Sequence, residues 1–206
     1  MDAELRAGVA VYNAGHYHAA HDAWEARWLD LPEGDDERFL HGLIQFTAAV
    51  YHARERNWSG ATGLADSADD YLADLPGDYR GVNVATVREY LAALERDPER
   101  IERGPAPALT YEGDALGLAD LHVESAFVAA DVLAEDLGYD EDVIEQATRY
   151  ARADLEAGEE GSEFVTFLLD FVRDADHRGI VAQRLSEHVD RREHRESDVD
   201  GLFDER

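Results

Sequence analysis

Between Asp2 and Asn13 the apolar residues Leu5, Val9 and Tyr12 recur at the spacing of one helix face, and Gly15 supplies a stop. The same period continues along nearly the whole chain. It predicts helices over His16 to Asp30, Asp36 to Arg56, Ser59 to Leu75 and Val84 to Arg96, punctuated by Pro32, Gly34, Pro76-Gly77 and Pro98. Gly104-Pro105-Ala106-Pro107 breaks the pattern, and Thr110 to Asp114 reads as briefly extended. Helical spacing then resumes over Leu121 to Leu137, Asp140 to Ala157 with Asp140 as N-cap, Ser162 to Arg173, and Asp176 to about His194. The stretch after Glu196 reads as an acidic, frayed tail. Strand alternation is nearly absent, so the predicted class is all-α. We expect a multihelical bundle over 1–97 around a buried central helix (about 36–56), a linker over 98–114, and a second helical layer or subdomain over 115–206.

Two segments carry the candidate chemistry. His18-Ala-Ala-His-Asp-Ala-Trp-Glu-Ala-Arg-Trp28 places Tyr17, His18, His21, Glu25 and Trp28 on one helix face and Ala19, Ala23 and Ala26 on another. An aromatic stripe normally faces the core, so His21 and Glu25 are expected to be buried with it. The next helix contains an uncharged run of fifteen residues, Phe39 to Ala53, apolar nearly all round and therefore expected to be surrounded. Within it Gln45 and His52 share a face, with His41 close by. A short loop makes the two helices antiparallel neighbours. Their register then brings His21, Glu25, Gln45 and His52 into one polar cluster, with His18, Asp22, Trp28 and His41 at its periphery.

The same residues carry a family likeness. Tyr12-Asn13-Ala14-Gly15-His16-Tyr17-His18-Ala19-Ala20-His21-Asp22, followed by Glu25 and Trp28, resembles the signature of the family called domain of unknown function 309. Phe39-Leu40-His41-Gly42-Leu43-Ile44-Gln45, then His52 and Asn57-Trp58-Ser59-Gly60-Ala61, resembles its second signature. The chain departs from the family at Asp22, where Glu is usual, at His41, where Gln is usual, and at Arg56, where Gly is usual. The resemblance implies a helical bundle with a buried central helix. It implies no activity.

Composition narrows the partners. The chain of 206 residues has 47 acidic and 19 basic residues, a net charge of -28, and every basic residue is arginine. Such a charge self-repels, yet becomes tolerable in molar salt, where the Debye length falls to about 3 Å. Acid excess without lysine is the composition of a salt-accumulating halophile's protein. Nucleic acid and anionic membrane are disfavoured, because both need a basic patch that the dispersed arginines do not form. The absence of cysteine excludes disulfides and thiolate chemistry. No basic-then-apolar leader opens the chain, and the uncharged run is short of the roughly 20 residues that span a bilayer, so the expectation is a cytoplasmic protein. Asn57-Trp58-Ser59 matches a glycosylation triplet, read here as accidental. No phosphate-cradling glycine loop or nucleophile elbow is present, and no cofactor is implied. Protein partners are unknown, and a homo-oligomer is left open.

Three readings of the cluster stand side by side. Buried His, Glu and Gln can satisfy one another as a structural network. The same groups can form a small-ligand pocket or a hydrolase-like acid–base site, with His21 or His52 moving the proton and Gln45 binding a carbonyl. A metal variant uses His18, His21, Glu25 and His52 as ligands. A helical protein–protein interaction module is the remaining alternative.

The charge itself makes a prediction. Helical circular dichroism and the melting temperature should both fall as potassium chloride is lowered from molar to millimolar; curves that do not change would contradict the salt requirement.

Overall fold

The computed structural model describes residues 1–159 and 161–203, with side chains described through residue 197. Nine α-helices are described: α1 (Asp2–Asn13), α2 (Tyr17–Leu29), α3 (Asp35–Arg54), α4 (Trp58–Leu72), α5 (Val84–Arg96), α6 (Val123–Leu137), α7 (Glu141–Glu156), α8 (Glu163–Arg173) and α9 (Arg178–Phe203). The class is all-α, as expected. The extended stretch is a miniature hairpin of β1 (Thr110–Tyr111) and β2 (Asp114–Ala115). Glu112 and Gly113 both take positive φ at its turn, the requirement of a tight two-residue hairpin loop. Among the described residues no helix is long and apolar enough to cross a membrane.

Local chemistry sets the helix ends. Asn57, Asp140 and Ser162 cap α4, α7 and α8, each side-chain oxygen accepting from a backbone N–H three residues on. Asn57 thus has a structural role that the triplet reading missed. Gly15 takes φ 92° in the turn between α1 and α2. Arg56 takes φ 57° after α3, a left-handed position where the resembled family usually has Gly, so the departure lies where a side chain is disfavoured. At the C-terminus, α9 runs as helix through Phe203 instead of fraying after Glu196.

The helices share one continuous apolar core that extends from Leu5 on α1 to Val189 on α9. α2 packs on α1, α3 and α6, so the C-terminal half meets the N-terminal half through α1 and through α2, one of the two helices that carry the candidate chemistry. The stretch over 107–116 is strapped to that junction. The Asn13 carboxamide donates to the carbonyls of Leu109 and Leu116, both at 2.8 Å, and accepts from the Leu109 N–H at 2.9 Å. Tyr12 donates to the Pro107 carbonyl at 3.0 Å, and Asn83 brackets Ala108 and Thr110.

One contact orients α2. Trp24 is fully buried, and its indole lies against Gly8 of α1 so closely that a Cβ there would fall 2.2 Å from the ring. Its N–H reaches the Leu5 carbonyl at 3.4 Å. The inward face of α2 is therefore Ala19, Ala20, Ala23 and Trp24. This reverses the expectation that the Tyr17–His21–Glu25–Trp28 face is buried: the His21 side chain keeps 28% of its surface exposed and Glu25 45%. The alanines let backbones approach, whereas burying imidazole and carboxylate carries a desolvation cost. The surrounded-helix expectation for α3 is corrected in the same way. One stripe, His41, Gln45, Ala48 and His52, is only half-buried while Leu40, Leu43, Phe46 and Val50 are buried.

Replacing glycine by alanine within a helix ordinarily stabilises it by roughly 0.5–1 kcal/mol. Gly8→Ala should do the opposite and cost about 1–3 kcal/mol in a denaturant melt at high salt, because the methyl group collides with Trp24. A variant as stable as the parent would contradict this packing.

Candidate functional site

The open stripes of α2 and α3 face one another, and their polar groups fall into two sets. The first set is centred on Asp22. Its carboxylate accepts from His21 Nδ1 at 2.9 Å through one oxygen and from His18 Nδ1 at 3.0 Å through the other. A proton on each Nδ1 leaves each Nε2 free as an acceptor or ligand atom in the neutral ring. His21 Nε2 lies 3.9 Å from a Glu25 oxygen. His18, His21 and His52, with Tyr17, Ala48 and Tyr51, line a cavity of about 230 Å³. No carboxylate is among these lining residues.

His52 has the opposite arrangement. The Asn57 side-chain oxygen is committed to the Gly60 N–H, so its amide nitrogen donates to His52 Nδ1 at 2.9 Å. His52 therefore carries its proton on Nε2 when neutral. The cavity thus combines imidazoles of both tautomers, His18 and His21 with Nδ1–H and His52 with Nε2–H. Asn57, a cap by sequence position, fixes the state of a cavity residue one turn before it.

The second set closes on itself. Glu37 accepts from the Trp28 indole at 2.8 Å and lies 3.7 Å from His41 Nδ1. His41 Nε2 meets the Gln45 amide nitrogen at 3.4 Å, and its ring stacks on Tyr71 at 3.9 Å and lies 4.4 Å from Trp28. The expected single cluster is therefore divided. His21, His18, Asp22 and Glu25 stand together, and His52 shares their cavity. Gln45 belongs instead with His41 and Trp28, because His41 is one turn from it on α3 and reaches it first.

Charge follows this geometry. The hydrogen bond to Asp22 raises the His21 pKa above its ordinary 6.5, opposed by burial and helped by the charges of Asp22 and Glu25. Burial works to raise Asp22, but the hydrogen bond from His21 and the charges of His18 and His21 outweigh it and hold the carboxyl below 3.8. His41 is shifted down, chiefly by burial, with Glu37 opposing.

Sequence reasoning passed over several participants. Tyr51 is 41% exposed and lines the cavity. Glu37 and Tyr71 complete the second set from the start of α3 and from α4, and the only available signal for Glu37 was its i,i+4 spacing to His41. Ala48, on the same stripe of α3, also lines the cavity.

Residues 5–64 match the family model described as Domain of unknown function (DUF309). That stretch contains all but the first residues of α1, the whole of α2 and α3, and every residue lining the cavity. An uncharacterized protein of Aquifex aeolicus (strain VF5) is 26% identical over 107 residues, which are 52% of this chain and 31% of that protein. The match thus spans about a third of the relative's length. These likenesses carry no established activity.

Linkage gives the pair a pH signature. His21 is raised, so its contribution is complete below 6.5 and is lost as pH rises through its folded value. Asp22 is lowered, so its contribution is present above 3.8 and is lost as pH falls through its folded value. The pair should stabilise the metal-free protein most between those limits. Imidazole NMR should show His21 titrating above 6.5 in the parent and lower in Asp22→Asn; equal midpoints would contradict the pairing.

Proposed function

We propose that the cavity between α2 and α3 binds a small polar ligand, and that the Asp22–His21 pair and His52 provide proton-accepting and proton-donating groups beside it. The observation that carries this reading is the convergence of three imidazoles on one cavity whose remaining lining is aromatic or small. In a chain with 47 acidic residues, a lining free of carboxylates favours a ligand bearing an acceptor or negative charge. Tyr17 and Tyr51 offer flat walls, and His52 Nε2–H offers a donor. His21, backed by Asp22, is arranged as the imidazole of an acid–base pair, with the carboxylate fixing its tautomer. A volume of about 230 Å³ suits a metabolite of a few heavy atoms better than a peptide.

The structural-network reading is favoured for the second set only. Trp28, Glu37, His41, Gln45 and Tyr71 satisfy or stack on one another, so that set is assigned to fixing the α2–α3–α4 register.

A ligand-observed NMR fragment screen, run in molar potassium chloride with a chelator present, tests the pocket. Small carboxylates and amides should bind the parent chain and weaken at least tenfold in Ala48→Trp, which fills the cavity, while circular dichroism stays unchanged. Absence of any ligand, or equal binding to Ala48→Trp, would overturn the proposal.

A further inference from the structure

The rim of this cavity holds a second chemical possibility that does not require a small molecule inside it. His21, Asp22 and Glu25 each present one donor atom, a ring nitrogen and two carboxylate oxygens, and the three atoms lie within 4.8 Å of one another. Among the described residues this is the one group of three or more His, Asp and Glu side chains so arranged, although the chain has 47 acids and nine histidines. A random crowding of surface acid would produce all-oxygen groups first. This group is built on nitrogen.

We propose that His21, Asp22 and Glu25 form a binding site for a divalent d-block cation of the zinc, cobalt or nickel kind, with His18 as a fourth ligand. The donors sit on a single helix: Glu25 stands one turn from both His21 and Asp22, at spacings of four and three residues, and a hydrogen bond of 2.9 Å holds Asp22 beside His21. His21 and Glu25 are already 3.9 Å apart. Metal–ligand bonds of about 2.0–2.2 Å require tetrahedral donors to be about 3.4 Å apart, so small side-chain rotations suffice. Asp22 spends only two of its roughly four acceptor sites on the two imidazoles. His18 is held at 3.0 Å from Asp22, and its side chain is 60% exposed, free to turn its nitrogen toward the ion. Mixed nitrogen and oxygen donors select borderline cations over magnesium and calcium, which prefer oxygen alone. The earlier metal set changes in one member. His52 leaves it, because Asn57 holds its Nδ1 and leaves the proton on Nε2, and Asp22 enters.

Cobalt(II) titrated into the full chain in molar potassium chloride tests the site, since that salt displaces cations held only by diffuse surface charge. The d–d absorption should saturate at one equivalent, zinc should displace the cobalt, and the bound cation should raise the melting temperature. His21→Ala and Glu25→Gln should each weaken binding about tenfold or more, and His41→Ala should leave it unchanged. Glu25 is half-exposed, so Glu25→Gln keeps the test valid if His21→Ala fails to fold. No saturable site up to millimolar cobalt or zinc, or equal affinity in the parent and Glu25→Gln, would overturn the proposal. Fragment binding in chelator is measured separately, so loss of the metal site and loss of the small-ligand pocket are distinguishable.

Discussion

The contact of Trp24 with Gly8 governs the chemistry of this molecule. A helix has one rotational setting, and burying Trp24, one of the two tryptophans of α2, against a glycine of α1 fixes it. Once Trp24 is inside, Ala19, Ala20 and Ala23 follow it inward, and His18, His21, Asp22 and Glu25 are carried to the surface. Fully burying an aromatic side chain is worth on the order of 2–3 kcal/mol. Exposing a charge-capable face avoids the penalty of desolvating it. Both terms favour the same rotation, so the polar face lines an open cavity instead of filling the core.

The C-terminal half holds this arrangement from behind. α6 packs on both α1 and α2, and Asn13 ties the backbone of 109–116 to the end of α1 with three hydrogen bonds. His16, in the turn between α1 and α2, bonds Asp136 at the end of α6 at 2.8 Å. The turn that begins the candidate-site helix is thus anchored from 120 residues away in the chain. Farther out, Asp154 accepts from Ser162 and pairs with Arg192, joining α7, α8 and α9. The pair is largely shielded from water, so removing either partner would strand a charge.

Two sets of polar groups on one face do different work. Around His41 each group is met by a neighbour, and the stacked rings leave little unspent. Around Asp22 the hydrogen bonds consume the Nδ1 atoms and leave the Nε2 atoms of His18 and His21 without a hydrogen bond from the chain, with a Glu25 oxygen 3.9 Å from His21 and a cavity alongside. A satisfied set positions helices; an unsatisfied one is available to something that is not this chain. The same criterion separates Asn57 as a positioning residue from His52, whose remaining N–H is free to donate.

The helical class, most helix boundaries to within a few residues, and the caps Asp140 and Gly15 were legible in the sequence, because periodicity, capping and turn chemistry act over a few residues. So was the meeting of His21 with Glu25, since a spacing of four on a helix determines proximity without a partner; Asp22, read as peripheral, is brought in by its hydrogen bonds to His18 and His21. The division of the expected four-residue cluster was not legible. It depends on which neighbour Gln45 reaches first, and Tyr71 and Glu37 come to that choice from other elements. The inward face of α2 was not legible either. Alanines and aromatics both qualify as a packing surface when α2 is read alone, and only the glycine of α1 that admits the Trp24 ring decides between them. The sequence by itself determined which residues form helices and which stand one turn apart. Tertiary structure alone decided which face each helix turns to water, because rotation about a helix axis is set by the shape of the neighbours.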